Sequence, residues 1–584
     1  MAAEQRITDN LDIWSSAIKA KSAAGRGKSN KLELYGVKKL RELILELAVR
    51  GLLAPQDPSD EPASELLTKI AAQKAKLIKG GVIKKQKVLP PIEGNESSFV
   101  LPENWAWARL ETAIIQVTDG EHLSPKKTET GVKLLTAKHV RDNGVTTADP
   151  QYVSKEDAEK FLLRCRPEIG DVLICSRGTI GRSCVNEVNE IFCLMGSVIL
   201  LKKSEYISSR YLSCFIKSQI GQLFIRGVTK GMAVNALYLK DIKLCPISIP
   251  PFEEQHRIVA KVDELMALCD QLEQQQEASI SAQKTLVKTL LGALTSASER
   301  DGFEEAWARI ADHFDSLFIT EWSIDQLKQA ILQLAVTGKL VPQDSTDGPA
   351  SELLERITAV KAQLVRDGKI KKQKSLPPIE EGEKQFELPA GWEWCRLQET
   401  FDVRDGTHDS PKDSAGGKTY PLVTSKNFVG GEIDFDGARR ISEEDHLEIS
   451  KRSLVEVGDI LFSMIGGNIG NQVMVEDPRP FSVKNVALFK YFLRSATLPR
   501  YFKIYTEELA IELQDNASGG AQPFISLGAL RKLVFALPPA DEQQRVVNKV
   551  DELMALCDTL KGRIITAQTT QLQLADAVAQ QAAS

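Results

Sequence analysis

Apolar positions recur with helical spacing in two long stretches of the chain. After Pro250-Pro251, and again after Pro538-Pro539, apolar residues alternate at intervals of four and three positions. They are Ile258, Val262, Leu265, Cys269 and Leu272 in the first stretch, and Val546, Val550, Leu553, Cys557 and Leu560 in the second. This spacing predicts a coiled-coil seam on each of two helices.

Each seam is expected to lie on a long helix. Proline followed by acidic residues is typical of a helix start, and both stretches begin in this way. The first seam becomes polar near Gln276 and is expected to resume at Leu286 and Leu290, while the second is expected to include Leu574 and Val578. Each helix would then have about 40 residues and a length of roughly 60 Å. The two helices could pack on each other, antiparallel across a pseudo-twofold axis, or each could pack on a partner subunit.

A second helical pattern is also duplicated. Apolar residues share one face at Leu40, Leu43, Ile44, Leu47 and Ala48, and again at Leu327, Ala330, Ile331, Leu334 and Ala335. Gly51 and Gly338 follow as expected stops. A second short helix is predicted to begin at the sequence ASELL in each half, and the later KKQK stretches have no helical period.

Between these helical regions the pattern predicts mixed α and β structure. The predicted strands are Val132–Ala137, Val172–Cys175, Ile191–Leu201, Tyr420–Thr424, Ile460–Ile465 and Phe481–Phe489. The predicted helices are Ser209–Ile225 and Leu498–Gln514.

The chain therefore contains a long internal repeat. KVDELMALCD occurs at Lys261–Asp270 and again at Lys549–Asp558, and the helical regions match in order at an offset of 287 or 288 residues. The segments 98–250 and 385–538 share only scattered landmarks. A repeat of this length predicts two similar halves with two copies of one kind of site.

Composition excludes several classes of protein. Hydrophobic residues make up 42% and charged residues 26% of the 584 positions, as in soluble globular proteins. No apolar run is long enough to cross a membrane, and the first residues do not resemble a secretory signal. Nine cysteines without zinc-site spacing predict reduced, buried thiols and a cytoplasmic location.

Charge differs between the two variable segments. Residues 98–250 contain 20 Lys and Arg against 16 Asp and Glu, whereas residues 385–538 contain 17 against 22. The overall charge of the second segment argues against non-specific binding of nucleic acid, although local patches can still contact phosphates.

No catalytic or metal-binding constellation is evident in the sequence. Asp119-Gly120-Glu121-His122 is repeated as Asp405-Gly406-Thr407-His408, but no acyl-transfer triad or metal cluster surrounds it. The motif could form a structural turn, face a nucleic acid or take part in catalysis. Because the two variable segments share no catalytic set, the sequence predicts a protein without enzymatic activity of its own.

The duplicated motifs resemble the specificity subunit of type I restriction–modification enzymes. They are the Pro-Pro-x-x-Glu-Gln helix starts at Pro250 and Pro538, the two Asp-Gly-x-His motifs, and Gly-Asp-[Val/Ile]-Leu before a glycine-rich turn, at Gly170–Gly181 and Gly458–Gly470. The resemblance covers nearly the whole chain. Leu11–Trp14 and Lys38–Gly51 resemble the group with an extended N-terminal helical region.

The resemblance implies an α+β fold with two target-recognition domains, joined by long repeated helices packed as an antiparallel coiled coil with pseudo-twofold symmetry. The expected segments are an N-terminal helical region (1–97), target-recognition domain 1 (98–250), a central helical region (251–384), target-recognition domain 2 (385–538) and a C-terminal long helix (539–584). We call residues 98–250 and 385–538 the first and second insert.

The resemblance also implies function and partners. Each insert would recognise one half of a split, asymmetric site in double-stranded DNA, and the helices would dock two modification subunits. Those subunits would bind S-adenosylmethionine and methylate adenine, so the chain itself would need no cofactor. Motor–nuclease restriction subunits would join this complex for cleavage.

Candidate DNA contacts are polar residues in the insert loops, because phosphates and base edges accept bonds from such side chains. They are Lys126, Lys127, Lys138, Arg177, Lys230 and Asn235 in the first insert, and Lys412, Lys426, Asn427, Asn468 and Gln522 in the second. Each could instead be ordinary solvated surface. The alternative function is an assembly scaffold whose inserts bind protein partners.

Overall fold

A computed structural model of the chain describes residues 2–20, 32–94, 96, 99–229, 235–516 and 524–583. The chain divides into two compact units. The first unit comprises residues 1–280 and 566–584, and the second comprises residues 281–565. Both contain helices and sheets, so the fold is α+β.

The first unit has a helical frame and an insert of mixed structure. Its helices are α1 Ala2–Thr8, α2 Leu11–Ser16, α3 Tyr35–Val49, α4 Ala63–Lys79, α5 Leu110–Ala113, α6 Lys155–Arg164, α7 Ser209–Lys217, α8 Gln219–Val228, α9 Leu239–Ile242 and the first part of α10 Phe252–Ser296. Its strands are β1 Lys19–Ala20, β2 Leu32–Glu33, β3 Ala106–Arg109, β4 Gln116–Asp119, β5 Val132–Leu135, β6 Val140–Arg141, β7 Gly144–Val145, β8 Gln151–Val153, β9 Val172–Cys175, β10 Ser183–Val185, β11 Phe192–Leu194, β12 Val198–Lys202 and β13 Pro246–Ile249.

The second unit repeats this plan. Its helices are α11 Arg300–Asp312, α12 Phe314–Leu317, α13 Glu321–Val336, α14 Ala350–Arg366, α15 Leu397–Thr400, α16 Glu443–Ser453, α17 Pro499–Asn516, α18 Leu527–Lys532 and most of α19 Ala540–Ala583. Its strands are β14 Glu393–Arg396, β15 Phe401–Asp405, β16 Thr419–Val423, β17 Phe428–Val429, β18 Glu432–Ile433, β19 Arg439–Ser442, β20 Ile460–Ser463, β21 Gln472–Met474, β22 Ser482–Val483, β23 Val486–Tyr491 and β24 Val534–Leu537. Along the described helices no segment is both long and apolar enough to cross a membrane.

The two inserts have the same sheet topology. In the first, a four-stranded sheet has the order β10-β9-β12-β4, and a three-stranded sheet has the order β11-β5-β8. In the second, the corresponding orders are β21-β20-β23-β15 and β22-β16-β19. Different sequences therefore build one architecture twice.

Strand β9 is buried along its whole length because both faces of its sheet are covered. Val172 and Ile174 pack with helix α7, whereas Leu173 and Cys175 pack with the three-stranded sheet. Successive side chains of a strand point to opposite faces, so a doubly covered strand needs an uninterrupted apolar run. This is why the sequence located β9 correctly.

Three predicted elements of the inserts are divided in the structure. The predicted strand Ile191–Leu201 is two strands separated at Met195–Ser197, and Phe481–Phe489 is divided in the same way before Val486. The predicted helix Ser209–Ile225 is two helices, because the Ser218 hydroxyl accepts a hydrogen bond from the Gly221 amide and begins α8. In contrast, the predicted helix Leu498–Gln514 is continuous, as α17.

The duplicated frame helices end at glycines that tolerate no side chain. Gly51 and Gly338 have φ angles of 73° and 71°. A Cβ at Gly51 would lie 2.6 Å from Pro102 and 3.0 Å from the Trp105 ring, and Gly338 has the equivalent neighbours. The predicted stops are therefore confirmed. The helices that begin at ASELL are longer than predicted, at 17 residues each.

Both long helices begin where the sequence predicts. Helix α10 has 45 residues and α19 has 44, and each extends from one unit into the other. The glutamine of each Pro-Pro-x-x-Glu-Gln motif holds the helix start in place by hydrogen bonds. The Gln255 side-chain amide donates to the Pro250 carbonyl (3.1 Å), and the Gln255 side-chain oxygen accepts from the Ser208 backbone amide (2.7 Å). Gln543 makes the equivalent bond to Pro538.

The glutamates of these motifs, which the sequence indicates as first-turn acids, are buried. Glu254 accepts hydrogen bonds from the Gln56 amide (2.6 Å) and the Trp105 indole (3.0 Å). Glu542 accepts one from Gln343 (2.8 Å). Burial raises the pKa of both carboxyls above the ordinary glutamate value, although these hydrogen bonds oppose the shift. The motif thus joins helix, insert and frame.

The predicted seam residues face the cores of their own units. Seven of them are buried, and Leu272, Leu553 and Leu560 are partly buried; the buried ones are Ile258, Val262, Leu265, Cys269, Val546, Val550 and Cys557. Farther along the helices the prediction fails at Leu286 and Leu574, which are each 46% exposed while Val287 and Ala575 are buried. The predicted Leu290 and Val578 are partly buried against the cores. The seam shifts by one residue at Leu286 and Leu574, since 3.6 residues per turn do not keep a strict heptad in register.

One arginine in each unit fixes the chain that leads into the insert. The Arg109 guanidinium donates to the Pro90, Pro91 and Leu244 carbonyls and to both oxygens of Glu96, at 2.7–3.1 Å. Arg396 makes the equivalent bonds, including the pair to Glu383. These hydrogen bonds lower the pKa of Glu96 and of Glu383 to about 2.

We predict that Leu265→Asp combined with Leu553→Asp destabilises both helical cores. Leu265 alone should cost about 3 kcal/mol or more, because the change removes buried apolar surface and buries a charge. Urea unfolding followed by circular dichroism measures the loss. The matched control is Ala267→Asp with Ala555→Asp, at exposed positions of the same two decapeptides. Equal losses in the two double variants would contradict the seam assignment.

We predict that Glu96→Gln lowers stability in a pH-dependent way. A carboxyl whose pKa is lowered on folding stabilises the protein above its unfolded pKa of about 4.5, and this contribution is lost as the pH falls toward 2. The difference in urea midpoint between wild type and variant should therefore have its largest value at pH 6 and vanish near pH 2. Other carboxyls titrate in both proteins and cancel in the difference. A difference that does not change with pH would show that the ionised pair contributes nothing.

Candidate nucleic-acid interface

Several loops converge on one edge of each insert. In the first insert, β4 and β9 end where β12 begins, since Ile199 lies opposite Asp119 and Val198 opposite Cys175. Strand β11 runs parallel to β5 and ends beside them, and Glu121 forms a bridge with Met195. We call this the loop edge; it consists of residues 120–123, 136–139, 176–178 and 195–197 in the first insert and of residues 406–409, 424–427, 464–467 and 483–485 in the second.

The Asp-Gly-x-His motif lies at this edge as a hydrogen-bonded group. Asp119 is buried and holds the His122 ring at 2.8 Å. Its other oxygen accepts from Arg164, at the end of α6, at 2.5 Å. The His122 side chain remains 48% exposed. A buried carboxylate thus fixes the orientation of a half-exposed imidazole.

The glycine of this motif is required by close packing. A Cβ at Gly120 would lie 2.1 Å from the Leu194 carbonyl oxygen, and one at Gly406 would lie 2.3 Å from that of Val483. No larger residue fits unless the backbone moves. The glycine therefore lets the loop that follows it, which contains His122 or His408 and is called the histidine loop, lie against the neighbouring strand.

The second insert repeats the group with one addition. Asp405 holds His408 at 2.8 Å and accepts from Arg452, while the other nitrogen of the His408 ring lies 3.2 Å from the Asn485 amide oxygen. Asn485 has a φ angle of 56°, which asparagine tolerates better than most residues. The His408 side chain is 61% exposed.

Two of the first-insert candidates lie on the loop edge, and a third adjoins it. Arg177 is exposed in the turn after β9, and Lys138 is exposed after β5, where it pairs with Asp149 at 2.9 Å. Asn235 is exposed and adjoins this turn, because the Leu237 amide donates to the Ser176 carbonyl. Lys126 and Lys127 are exposed in the next part of the histidine loop. Lys230 lies outside the described residues.

The second-insert candidates differ in their surroundings. Lys426 and Asn468 are exposed after β16 and β20, and Lys412 is exposed in the histidine loop. Asn427 is buried, and its amide oxygen accepts from the Thr424 amide (3.0 Å) and hydroxyl (3.1 Å). That oxygen is used by the turn itself, so a DNA contact by Asn427 stays an untested prediction. Gln522 lies outside the described residues.

The turns after β9 and β20 share the backbone conformation of their first glycine and differ in side chains, and the second turn continues as a short 3-10 helix at Gly466–Asn468. Gly178 and Gly466 have φ angles of 73° and 75°. The residue before each glycine is Arg177 in the first insert and Ile465 in the second. The conserved geometry therefore presents a cation in one insert and an apolar group in the other.

Residue chemistry alone missed part of this edge. His122 and His408 were not chosen as DNA contacts, although the repeated Asp-Gly-x-His motif marked them. Ile465 was not chosen because the selection used polar residue types. The loop edges as a whole carry exposed cations, amides and imidazoles, which are groups that can bond to phosphates and base edges.

The described residues contain no group of His, Cys, Asp and Glu that could hold a metal ion. All nine cysteines belong to the described part of the chain and are free thiols, and eight are buried. Burial raises the pKa of Cys165 to about 12 and those of Cys184 and Cys193 to about 11. The predicted burial of the thiols is therefore found at eight of the nine cysteines, and the ninth, Cys214, is half-buried.

Comparison with a solved structure gives a weak overall similarity. The HsdS subunit from Thermoanaerobacter tengcongensis has 16% sequence identity, with 84% of this chain and 98% of that chain covered and a TM-score of 0.43.

Comparison of sequences gives stronger similarity. The family model described as type I restriction modification DNA specificity domain matches residues 126–282 and 389–568. The type I restriction enzyme EcoAI specificity subunit of Escherichia coli is 39% identical over 601 residues, and the EcoEI specificity subunit of the same species is 39% identical over 618 residues. Each alignment covers 99% of both chains. The chain therefore belongs to the family of type I restriction–modification DNA specificity subunits.

Proposed function

We propose that this chain is the non-catalytic DNA-recognition subunit of a type I restriction–modification complex. Each insert recognises one half of a bipartite, asymmetric DNA site through its loop edge. The observation that carries the proposal is the duplicated loop edge, in which one backbone arrangement presents different side chains in the two inserts. Family membership and the names of the relatives support the same role.

Asymmetry of the DNA site follows from the difference between the inserts. Two identical inserts would recognise identical half-sites. Here the position before the turn glycine is Arg177 in one insert and Ile465 in the other, so the two contact surfaces favour different base pairs. An undivided palindrome is therefore not the expected target.

The long helices set the separation of the half-sites in this proposal. At 1.5 Å per residue, a helix of 45 residues is roughly 68 Å long, and two modules on one face of DNA need about 34 Å between them. We propose that α10 and α19 pair as an antiparallel coiled coil with pseudo-twofold symmetry. The composition of the cores supports this arrangement: the start of α10 shares a core with the end of α19 in the first unit, and the end of α10 shares one with the start of α19 in the second.

The proposed partners supply the chemistry. Two modification subunits dock on the repeated helices, bind S-adenosylmethionine and methylate adenine, and motor–nuclease restriction subunits join for cleavage. The chain itself holds no cofactor in this scheme, and the complex works in the cytoplasm, where its DNA is found.

We predict that co-expression with an adenine-methylating modification subunit produces methylation at one split, asymmetric motif. Sequencing that detects N6-methyladenine across the host DNA maps the motif. Exchange of residues 98–250 for the corresponding insert of a relative should change one half of the motif only. A complex that assembles but methylates no defined motif would instead favour a scaffold whose inserts bind protein.

We predict that Arg177→Ala weakens specific binding by about 1–3 kcal/mol and relaxes the preference at one base pair of the first half-site. The reason is the loss of a guanidinium that can bond to two acceptors of guanine. Fluorescence anisotropy with the mapped duplex and single-substituted duplexes measures both effects. The control is Arg309→Ala, an exposed cation on α11 outside both inserts. Unchanged affinity and unchanged preference would remove Arg177 from the interface.

A further inference from the structure

The residue before the turn glycine occupies equivalent positions in the two inserts. The Leu237 amide donates to the Ser176 carbonyl (2.9 Å), and the Ile525 amide donates to the Met464 carbonyl (3.0 Å). Each carbonyl belongs to the residue just before Arg177 or Ile465. Together with the matching glycine φ angles, these bonds align Arg177 with Ile465 and Ala236 with Phe524.

The second insert presents two exposed apolar side chains at these positions. Ile465 is 38% exposed and Phe524 is 62% exposed, and their backbones form an antiparallel bridge. In the first insert Ala236 is buried, so Arg177 projects there without an aromatic neighbour from that position. The inserts thus differ by a change from a cation to an apolar pair.

Single exposed apolar residues are common on protein surfaces and need no ligand. This pair differs because Ile465 lies on the loop edge, at the position of the arginine proposed to contact a base, and Phe524 is bridged to it. It also lies within residues 389–568, which match the DNA specificity domain. Asn468, an exposed amide, belongs to the same turn, so the apolar pair is bordered by a group that can bond to a base edge.

DNA has one apolar group in the major groove that distinguishes a base. The thymine methyl contacts apolar side chains, whereas guanine presents two acceptors to arginine. We propose that Ile465 and Phe524 recognise a thymine by its 5-methyl group, at the position of the second half-site that corresponds to the guanine contacted by Arg177 in the first. This inference rests on the proposed function and adds the base that each turn selects.

The test removes the methyl group from the DNA and leaves the protein unchanged. Once the methylated motif is mapped, each thymine of the second half-site is replaced singly by deoxyuridine in a synthetic duplex. Binding by the complex with its modification subunits is then measured. One replacement should weaken binding about three- to fivefold, because burial of one methyl group contributes about 0.8 kcal/mol. Replacements in the spacer serve as controls.

A double-mutant cycle assigns the effect to the protein groups. In the variant Ile465→Ala with Phe524→Ala, thymine and uracil duplexes should bind equally. Val429→Ala, at an exposed apolar residue next to the loop edge, should retain the full thymine preference. Should the double variant fail to fold, Ile465→Ala alone should reduce the thymine preference and still provide a cycle.

A gain of specificity is a further expected result. Ile465→Arg should shift the methylation map from thymine toward guanine at that position. The inference would be overturned if every uracil-substituted duplex bound as tightly as the unsubstituted duplex. It would also be overturned if the second half-site contained no thymine. Neither result would affect the proposed function, which depends on the presence of one split methylated motif and not on the base chosen at this turn.

Discussion

The junction at Pro-Pro-x-x-Glu-Gln is the constraint on which each unit depends. A buried glutamate, Glu254 or Glu542, accepts a hydrogen bond from a glutamine of the frame. The glutamine that follows, Gln255 or Gln543, donates from its side-chain amide to the carbonyl of the first proline. The Gln255 oxygen also accepts from the Ser208 amide of the insert. An insert that must present a few side chains to DNA needs a fixed orientation, and these buried polar contacts provide it because an unpaired buried carboxylate would be costly.

The frame and the loop edge have different roles: the frame fixes the backbone, and the loop edge presents variable side chains. Contacts that determine backbone position are duplicated almost atom for atom: the arginine clamps, the frame glycines beside tryptophan, and the Asp-His pairs all recur. Exposed positions on the same backbone differ, as Arg177 and Ile465 do. Specificity can therefore change without loss of stability, since buried contacts stay constant while solvent-facing residues vary.

The sequence predicted the parts of this structure that depend on local pattern. Helix starts, the frame stops at Gly51 and Gly338, and strand β9 follow from residue types in a short window. The break at Met195–Ser197 could not be predicted in this way, because it depends on packing of Gly196 against His122, more than 70 positions earlier. The polar candidates on the loop edge came from residue type and loop position. The burial of Asn427 and the apolar pair at Ile465 and Phe524 required the tertiary structure, since both depend on partners that the local sequence does not reveal.

The difference in charge between the inserts bears on how affinity arises. Residues 98–250 carry an excess of basic residues, whereas residues 385–538 carry an excess of acidic ones. Neutralisation of phosphates contributes affinity without regard to sequence, and its contribution falls as salt increases. On the proposed function the second insert gains little from this source. Phosphate contacts of this insert then depend on local cations such as Lys412 and Lys426. Contacts to the bases carry a larger share of its affinity, and apolar groups at the loop edge suit that role because they do not rely on phosphate neutralisation.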